Sequence, residues 1–201
     1  MTKLITCIVI EGKKLSKSRV PLLTALALTL VPFMGGFFMF ILKDPALAQE
    51  LGFISAKAQI LGTATWPSYL SLLAQAMAIG GILVFGFISS WIFGREYSDR
   101  TITDLLALPI SRTTIVLAKF IVSFLWCLIL SLYVLILGYL VGLFVHLPGW
   151  SPALVTKGAF IFLICSALTT ILSTPVGFFA SSGRGYLPPL GFTVFTLVLA
   201  Q

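Results

Sequence analysis

Charge is scarce in this chain, and side chains suited to acid–base chemistry are scarcer: 9% of the 201 residues are Asp, Glu, Lys or Arg, six are acidic, and one is histidine. Four runs, Val20 to Leu42, Tyr69 to Phe93, Phe120 to Val145 and Gly158 to Ser181, carry no Asp, Glu, Lys or Arg. Proton relays inside membranes use such groups, so their absence disfavours proton coupling, while sodium coupling through hydroxyls and carbonyls stays open. No Ser/His pair, paired carboxylates or His-rich zinc helix can be assembled, which leaves intramembrane catalysis without its parts. The three cysteines, Cys7, Cys127 and Cys165, are odd in number, far apart and set among apolar residues. They suggest neither a disulfide framework nor a metal-ligand spacing. The residues before Val20 lack a compact apolar region, and no small-residue cleavage pattern follows the first run, so no signal peptide is expected to be removed.

What is present is hydrophobic: 59% of the residues are apolar and mean hydropathy is +1.10. About 20 apolar helical residues cross the roughly 30 Å of a bilayer core, and each of the four charge-free runs is that long. The expected fold is all-α, a polytopic transmembrane helix bundle forming one domain over residues 1–201. Its spans fall at about 20–42, 69–93, 120–145 and 158–181. A fifth stretch, Tyr186 to Gln201, is uncharged but only 16 residues long, and reads as a span cut short.

The net charge of +7 follows the membrane and not a nucleic-acid groove. Five cations precede the first span (Lys3, Lys13, Lys14, Lys17, Arg19), four lie between the second and third (Arg95, Arg100, Arg112, Lys119), and Arg184 follows the fourth; only Lys43, Lys57 and Lys157 fall on the other side. By the positive-inside rule, this asymmetry predicts a multi-pass protein of the plasma or inner membrane with a cytoplasmic N-terminus.

The basic segment 1–19 reads two ways: as an amphipathic helix along the interface, with Ile5, Ile8 and Val9 on one side, or as a flexible flank that only sets topology. Residues 43–68 read as an extracytoplasmic connector with Trp66 and Tyr69 as interfacial anchors. His146 reads as an interfacial residue in a tight turn. Pro175 predicts a kink in the fourth span, with Thr169, Thr170, Ser173 and Thr174 bonding back to their own helix or lining a path. Two small-xxx-small pairs, Ala76 with Gly80 and Gly138 with Gly142, suit close helix packing.

Gly94 to Arg112, GREYSDRTITDLLALPISR, sets six charges between two uncharged spans. Arg95 with Asp99, Glu96 with Arg100, and Arg100 with Asp104 are oppositely charged i,i+4 pairs, which suit a helix continuing from span two into water. Thr101 with Asp104 resembles a capping box, starting a short helix whose Ile102, Leu105 and Leu106 share a face. Pro109 ends it, and Ser111 is placed to cap the next helix. Such an apolar face with charged flanks suits the cleft of a soluble partner as well as it suits packing under its own helices.

This segment resembles the cytoplasmic coupling segment of ATP-binding-cassette permeases of the type 2 exporter family. The family pattern is an acidic residue, a Thr, paired leucines, Pro, Ser-Arg and a later Lys; here these are Glu96, Thr101, Leu105, Leu106, Pro109, Ser111, Arg112 and Lys119. Arg100 stands where many members have Gly. The layout of the chain is also similar, with a basic N-terminal segment, an outer loop and then a coupling segment over residues 94–119.

The resemblance implies one permease domain of a six-span fold, with five spans visible here. It implies no cofactor in this chain, ATP and Mg being bound by a separate cytosolic ATPase. It also implies pairing with a second permease subunit, as a homo- or heterodimer, within the lipid bilayer. The lack of any GxxxxGK[ST] loop agrees with that division of labour. By carry-over, Ile102, Leu105 and Leu106 enter the ATPase cleft, with Glu96, Arg100, Asp104 and Arg112 as polar contacts or braces. Two other readings remain: a membrane anchor or assembly protein docking a soluble partner without transport, and a self-contained secondary transporter.

Overall fold

A computed structural model of the chain describes residues 2–43, 63–103, 107, 110–183 and 187–199. Every regular element among them is a helix: α1 Thr2–Ser16, α2 Val20–Lys43, α3 Trp66–Ser98, α4 Arg112–Phe144, α5 Pro152–Leu172, α6 Thr174–Ser182 and α7 Leu187–Leu199. The outer connector lies mostly in residues 44–62, outside the described residues.

Among the described residues, four stretches are long and apolar enough to cross a membrane: α2, α3, α4, and α5 with α6 taken as one span. At 1.5 Å per residue, the 33-residue α3 and α4 are each about 50 Å long and outrun a bilayer core. The 13 described residues of α7 extend about 20 Å, less than the thickness of a bilayer core. Local chemistry sets several helix starts. Pro67 and Pro152 occupy first-turn positions, where the missing N–H costs nothing. The Ser111 hydroxyl accepts the Thr114 N–H at 3.3 Å, satisfying one of the orphan donors of α4.

Helix α3 is the hub, touching α2, α4, α5, α6 and α7, while α1 lies chiefly against α4. The core runs along α3 at helical spacing, Trp66, Tyr69, Leu73, Met77, Phe85, Ile88, with Leu130, Val134 and Phe162 from its neighbours. Outward, α2 exposes Leu22, Leu26, Leu30, Phe33, Phe37 and Phe40. A continuous apolar outer face of this extent suits a hydrocarbon solvent and not water.

Gly138 and Gly142 let α3 and α4 meet: a Cβ at Gly138 would lie 2.6 Å from Leu73, and one at Gly142 2.5 Å from the Trp66 ring. At the Ala76/Gly80 pair, a Cβ on Gly80 would meet nothing within 4 Å among the described residues. The fourth span breaks at Ser173, where α5 stops and α6 begins with Pro175 in its first turn. Around the break Thr169, Thr170, Ser173 and Thr174 each donate to a carbonyl three or four residues back. Three of those hydroxyl residues, Thr170, Ser173 and Thr174, also line a small cavity of about 180 Å³ with Ser89 and Ser123.

Candidate functional site

At the end of the bundle that carries α1 and the 94–112 segment, four charges from three helices form a closed ring. Glu11 and Lys14 come from α1, Glu96 from the last turns of α3, and Lys119 from the start of α4. Lys119 Nζ donates to Glu96 Oε2 at 2.6 Å and to Glu11 Oε2 at 3.4 Å; Lys14 Nζ donates to Glu11 Oε1 at 2.7 Å and to Glu96 Oε1 at 3.2 Å. Each carboxylate therefore bridges both ammonium groups, one oxygen to each.

The third Lys119 proton goes to the Ile92 carbonyl at 2.8 Å, so all three of its donors are used. Glu11, Glu96 and Lys119 are buried, which charged groups tolerate only when paired. Two carboxylates and two ammoniums make the ring neutral. Burial works against the charge on Lys14, but its hydrogen bond to Glu11 and the charges of Glu11 and Glu96 outweigh that and raise its pKa above the ordinary lysine value.

Helix α1 enters the ring because Cys7, Glu11 and Leu15, spaced by four, form its buried stripe. Segment 1–19 is helical over Thr2–Ser16, but Ile5, Ile8 and Val9 do not share a buried side: Ile8 packs against the core, while Ile5 and Val9 are exposed. Glu11 was not singled out by sequence. The available signal was a lone acidic residue in a basic stretch, in helical register with two apolar residues.

The 94–112 segment begins at a helix end with two specific bonds: Thr101 N–H to the Glu96 carbonyl at 3.0 Å, and Arg100 N–H to the Tyr97 carbonyl at 3.3 Å. This is the Schellman arrangement, which needs a left-handed residue between the two. That residue is Arg100, with φ 57°, a conformation that glycine adopts more readily.

Of the expected ion pairs, Arg95 with Asp99 is present at 3.3 Å. Glu96 with Arg100 is not: Arg100 sits beyond the helix in its left-handed turn, and Glu96 faces inward to the two lysines. Arg100 and Arg112 are exposed. Ile102 and Thr103 are helical, and the Ala107 N–H reaches the Thr103 carbonyl at 3.1 Å. Asp104, Leu105, Leu106 and Pro109 lie outside the described residues, and with them the Arg100–Asp104 pair and the proposed apolar face.

Comparison with known proteins gives two findings. The family model described as ABC-2 family transporter protein matches residues 7–200. The bacitracin transport permease protein BCRB of Bacillus licheniformis is 32% identical over 114 residues, covering 57% of this chain and 55% of that protein. The chain thus matches about half the length of this curated relative. No solved structure matches. A family match across nearly the whole chain, together with a bundle of long apolar helices, makes this a multi-pass membrane protein that belongs to the ABC-2 transporter family.

Proposed function

We propose that the chain is the membrane-spanning permease subunit of an ATP-driven exporter, with ATP and Mg bound and hydrolysed by a separate cytosolic subunit. The ATPase grips the 94–112 segment, and a second permease subunit completes the pathway. One observation carries this reading: the ring of Glu11, Lys14, Glu96 and Lys119 ties the segment to the bundle at both ends, through Glu96 near its start and through Lys119 on the helix that follows it. Removing one partner of a buried ion pair costs about 3–5 kcal/mol. A displacement of the segment therefore moves α1, α3 and α4 as one body and is not absorbed locally. The carboxylates and lysines serve as mechanical braces; none is assigned a chemical step.

Ten of the thirteen cations fall before the first span, between the second and third, or at Arg184 in the sequence, and by the positive-inside rule that asymmetry supports a cytoplasmic location for this end. Similarity to a bacitracin transport permease makes bacitracin the first cargo to test.

The docking assignment is tested by replacing Leu105 and Leu106 with Asp and measuring co-purification with the ATP-binding subunit. The expected result is loss of the subunit with helical content unchanged. Retained association would sink the assignment.

A further inference from the structure

Beside the charge ring, on its solvent side, α1 and α3 enclose a second feature, a notch of about 360 Å³ between Lys13, Lys14 and Lys17 on one wall and Trp91 and Arg95 on the other. Its cations are poorly matched. Lys14 is held by Glu11 and Glu96, and Arg95 by the exposed Asp99. Lys13 and Lys17 have no acidic partner among the described residues, and both are exposed. They are four residues apart, Lys17 just past the end of α1 with its N–H on the Lys13 carbonyl at 3.1 Å, so two like charges sit close together.

Counting every charge at this junction, Lys13, Lys14, Lys17, Arg95 and Lys119 against Glu11, Glu96 and Asp99, five positive groups meet three negative ones. Two positive charges are left over.

The notch also has an apolar side. Ile10 lines it and is half exposed, and Trp91 lies under the Arg95 guanidinium, 5.1 Å from its ring centroid. Tryptophan with cations is the composition of a membrane–water boundary. The level of the notch agrees: Lys17 is three residues before α2 begins at Val20, and Leu22, Leu23 and Leu26 on α2 are exposed. A ligand for this site has an anionic head for the lysines and arginine and an apolar body that continues along the lipid-facing surface.

We infer that the notch binds the phosphate headgroup of an anionic glycerophospholipid, seating one such lipid against α1 and α3. Lys13 and Lys17 supply the uncompensated charge, Arg95 offers its remaining guanidinium donors to the phosphate oxygens, and Trp91 and Ile10 meet the glycerol and upper acyl region. The site does not depend on the coupling assignment above. It stands or falls on lipid binding alone, whatever the protein transports.

The test uses the full chain in detergent micelles, with native mass spectrometry following binding of dioleoylphosphatidylglycerol and, separately, dioleoylphosphatidylcholine. The wild-type chain is expected to retain the anionic lipid selectively. Each lysine near an anionic lipid surface is worth about a fivefold change in affinity, so Lys13→Gln with Lys17→Gln weakens binding roughly 30-fold. A distant pair of equal charge change, Lys43→Gln with Lys157→Gln, leaves it unaltered. Equal retention of the two lipids, or equal loss in the distant pair, overturns the site. Inorganic phosphate at the lipid concentration is expected not to displace the lipid; displacement assigns the notch to free phosphate and overturns the lipid. Should the Lys13/Lys17 variant fail to fold, the wild-type chain still decides the matter. Its phosphatidylglycerol affinity must fall as sodium chloride rises from about 50 to 500 mM, and a salt-independent affinity overturns the proposal.

Discussion

Lys119 and Glu96 stand 23 residues apart in the chain, Glu96 near the start of the 94–112 segment and Lys119 beyond its end, and their charged atoms meet at 2.6 Å. The family-like pattern therefore begins and ends on two residues that are each other's partners, and Glu11 and Lys14 of α1 close the ring around them.

Lys119→Met leaves Glu96 and Glu11 with a single cation between them. Stability should fall by about 3 kcal/mol or more, read as a lower thermal midpoint in detergent. Adding Glu96→Leu removes the stranded carboxylate while Glu11 and Lys14 still pair, so the double variant should be more stable than Lys119→Met alone. Additive losses would show that the two residues do not interact.

Arg100→Gly should stabilise the protein by about 1 kcal/mol, because φ 57° is a left-handed conformation that costs a side chain with a Cβ and costs glycine nothing. Arg100→Val, β-branched, should do the reverse. Urea or thermal unfolding of the three proteins in one detergent checks the order. A glycine variant less stable than the parent contradicts the turn.

Close helix contact predicts a contrast between glycines. Gly142→Ala drives a methyl into Trp66 and Gly138→Ala one into Leu73, and overpacking of this kind costs about 1–3 kcal/mol. Gly80→Ala meets open space and should be neutral or stabilising by up to about 1 kcal/mol in a helix interior. The same unfolding assay separates them.

Orientation is checked at Ser98, which is exposed at the last turn of α3. In a Cys165→Ser background, where the remaining native thiols are buried, a Ser98→Cys variant should react with an impermeant maleimide only when the cytoplasmic side is open to the reagent. Labelling from the outside of sealed cells would invert the topology.

The long helices were legible because runs of more than 20 residues without a charge have few other readings. Their ends were not. Hydropathy stops at the first charge, whereas the hydrogen-bond ladder of α3 continues through Arg95 and Glu96 to Ser98. Whether segment 1–19 is helical was open in the sequence because Lys13, Lys14 and Lys17 serve a flexible flank as well as a helix; the contact that holds α1 to α4, Glu11 to Lys119, spans 108 residues. The Glu96–Arg100 pairing failed for a related reason. The i,i+4 rule holds only inside a helix, and the left-handed turn at Arg100 takes that side chain off the helix face while Glu96 turns to α1 and α4.

The interruption at Ser173 has a mechanical meaning. Pro175 has no N–H to return to Ile171, and the Ser173 and Thr174 hydroxyls both donate to the neighbouring Thr170 carbonyl. The fourth span thus has a weak axis at one known height. Beyond it, α6 and α7 are joined by the stacked rings of Phe179 and Phe192, 4.4 Å apart, and they rest on α3 through Gly177 against Phe93 and Thr193 against Gly86. The missing backbone bond at the Ser173 break thus sits next to a stretch of the span held close to α3 by glycine contacts, so the bend and the tight packing share one place in the bundle.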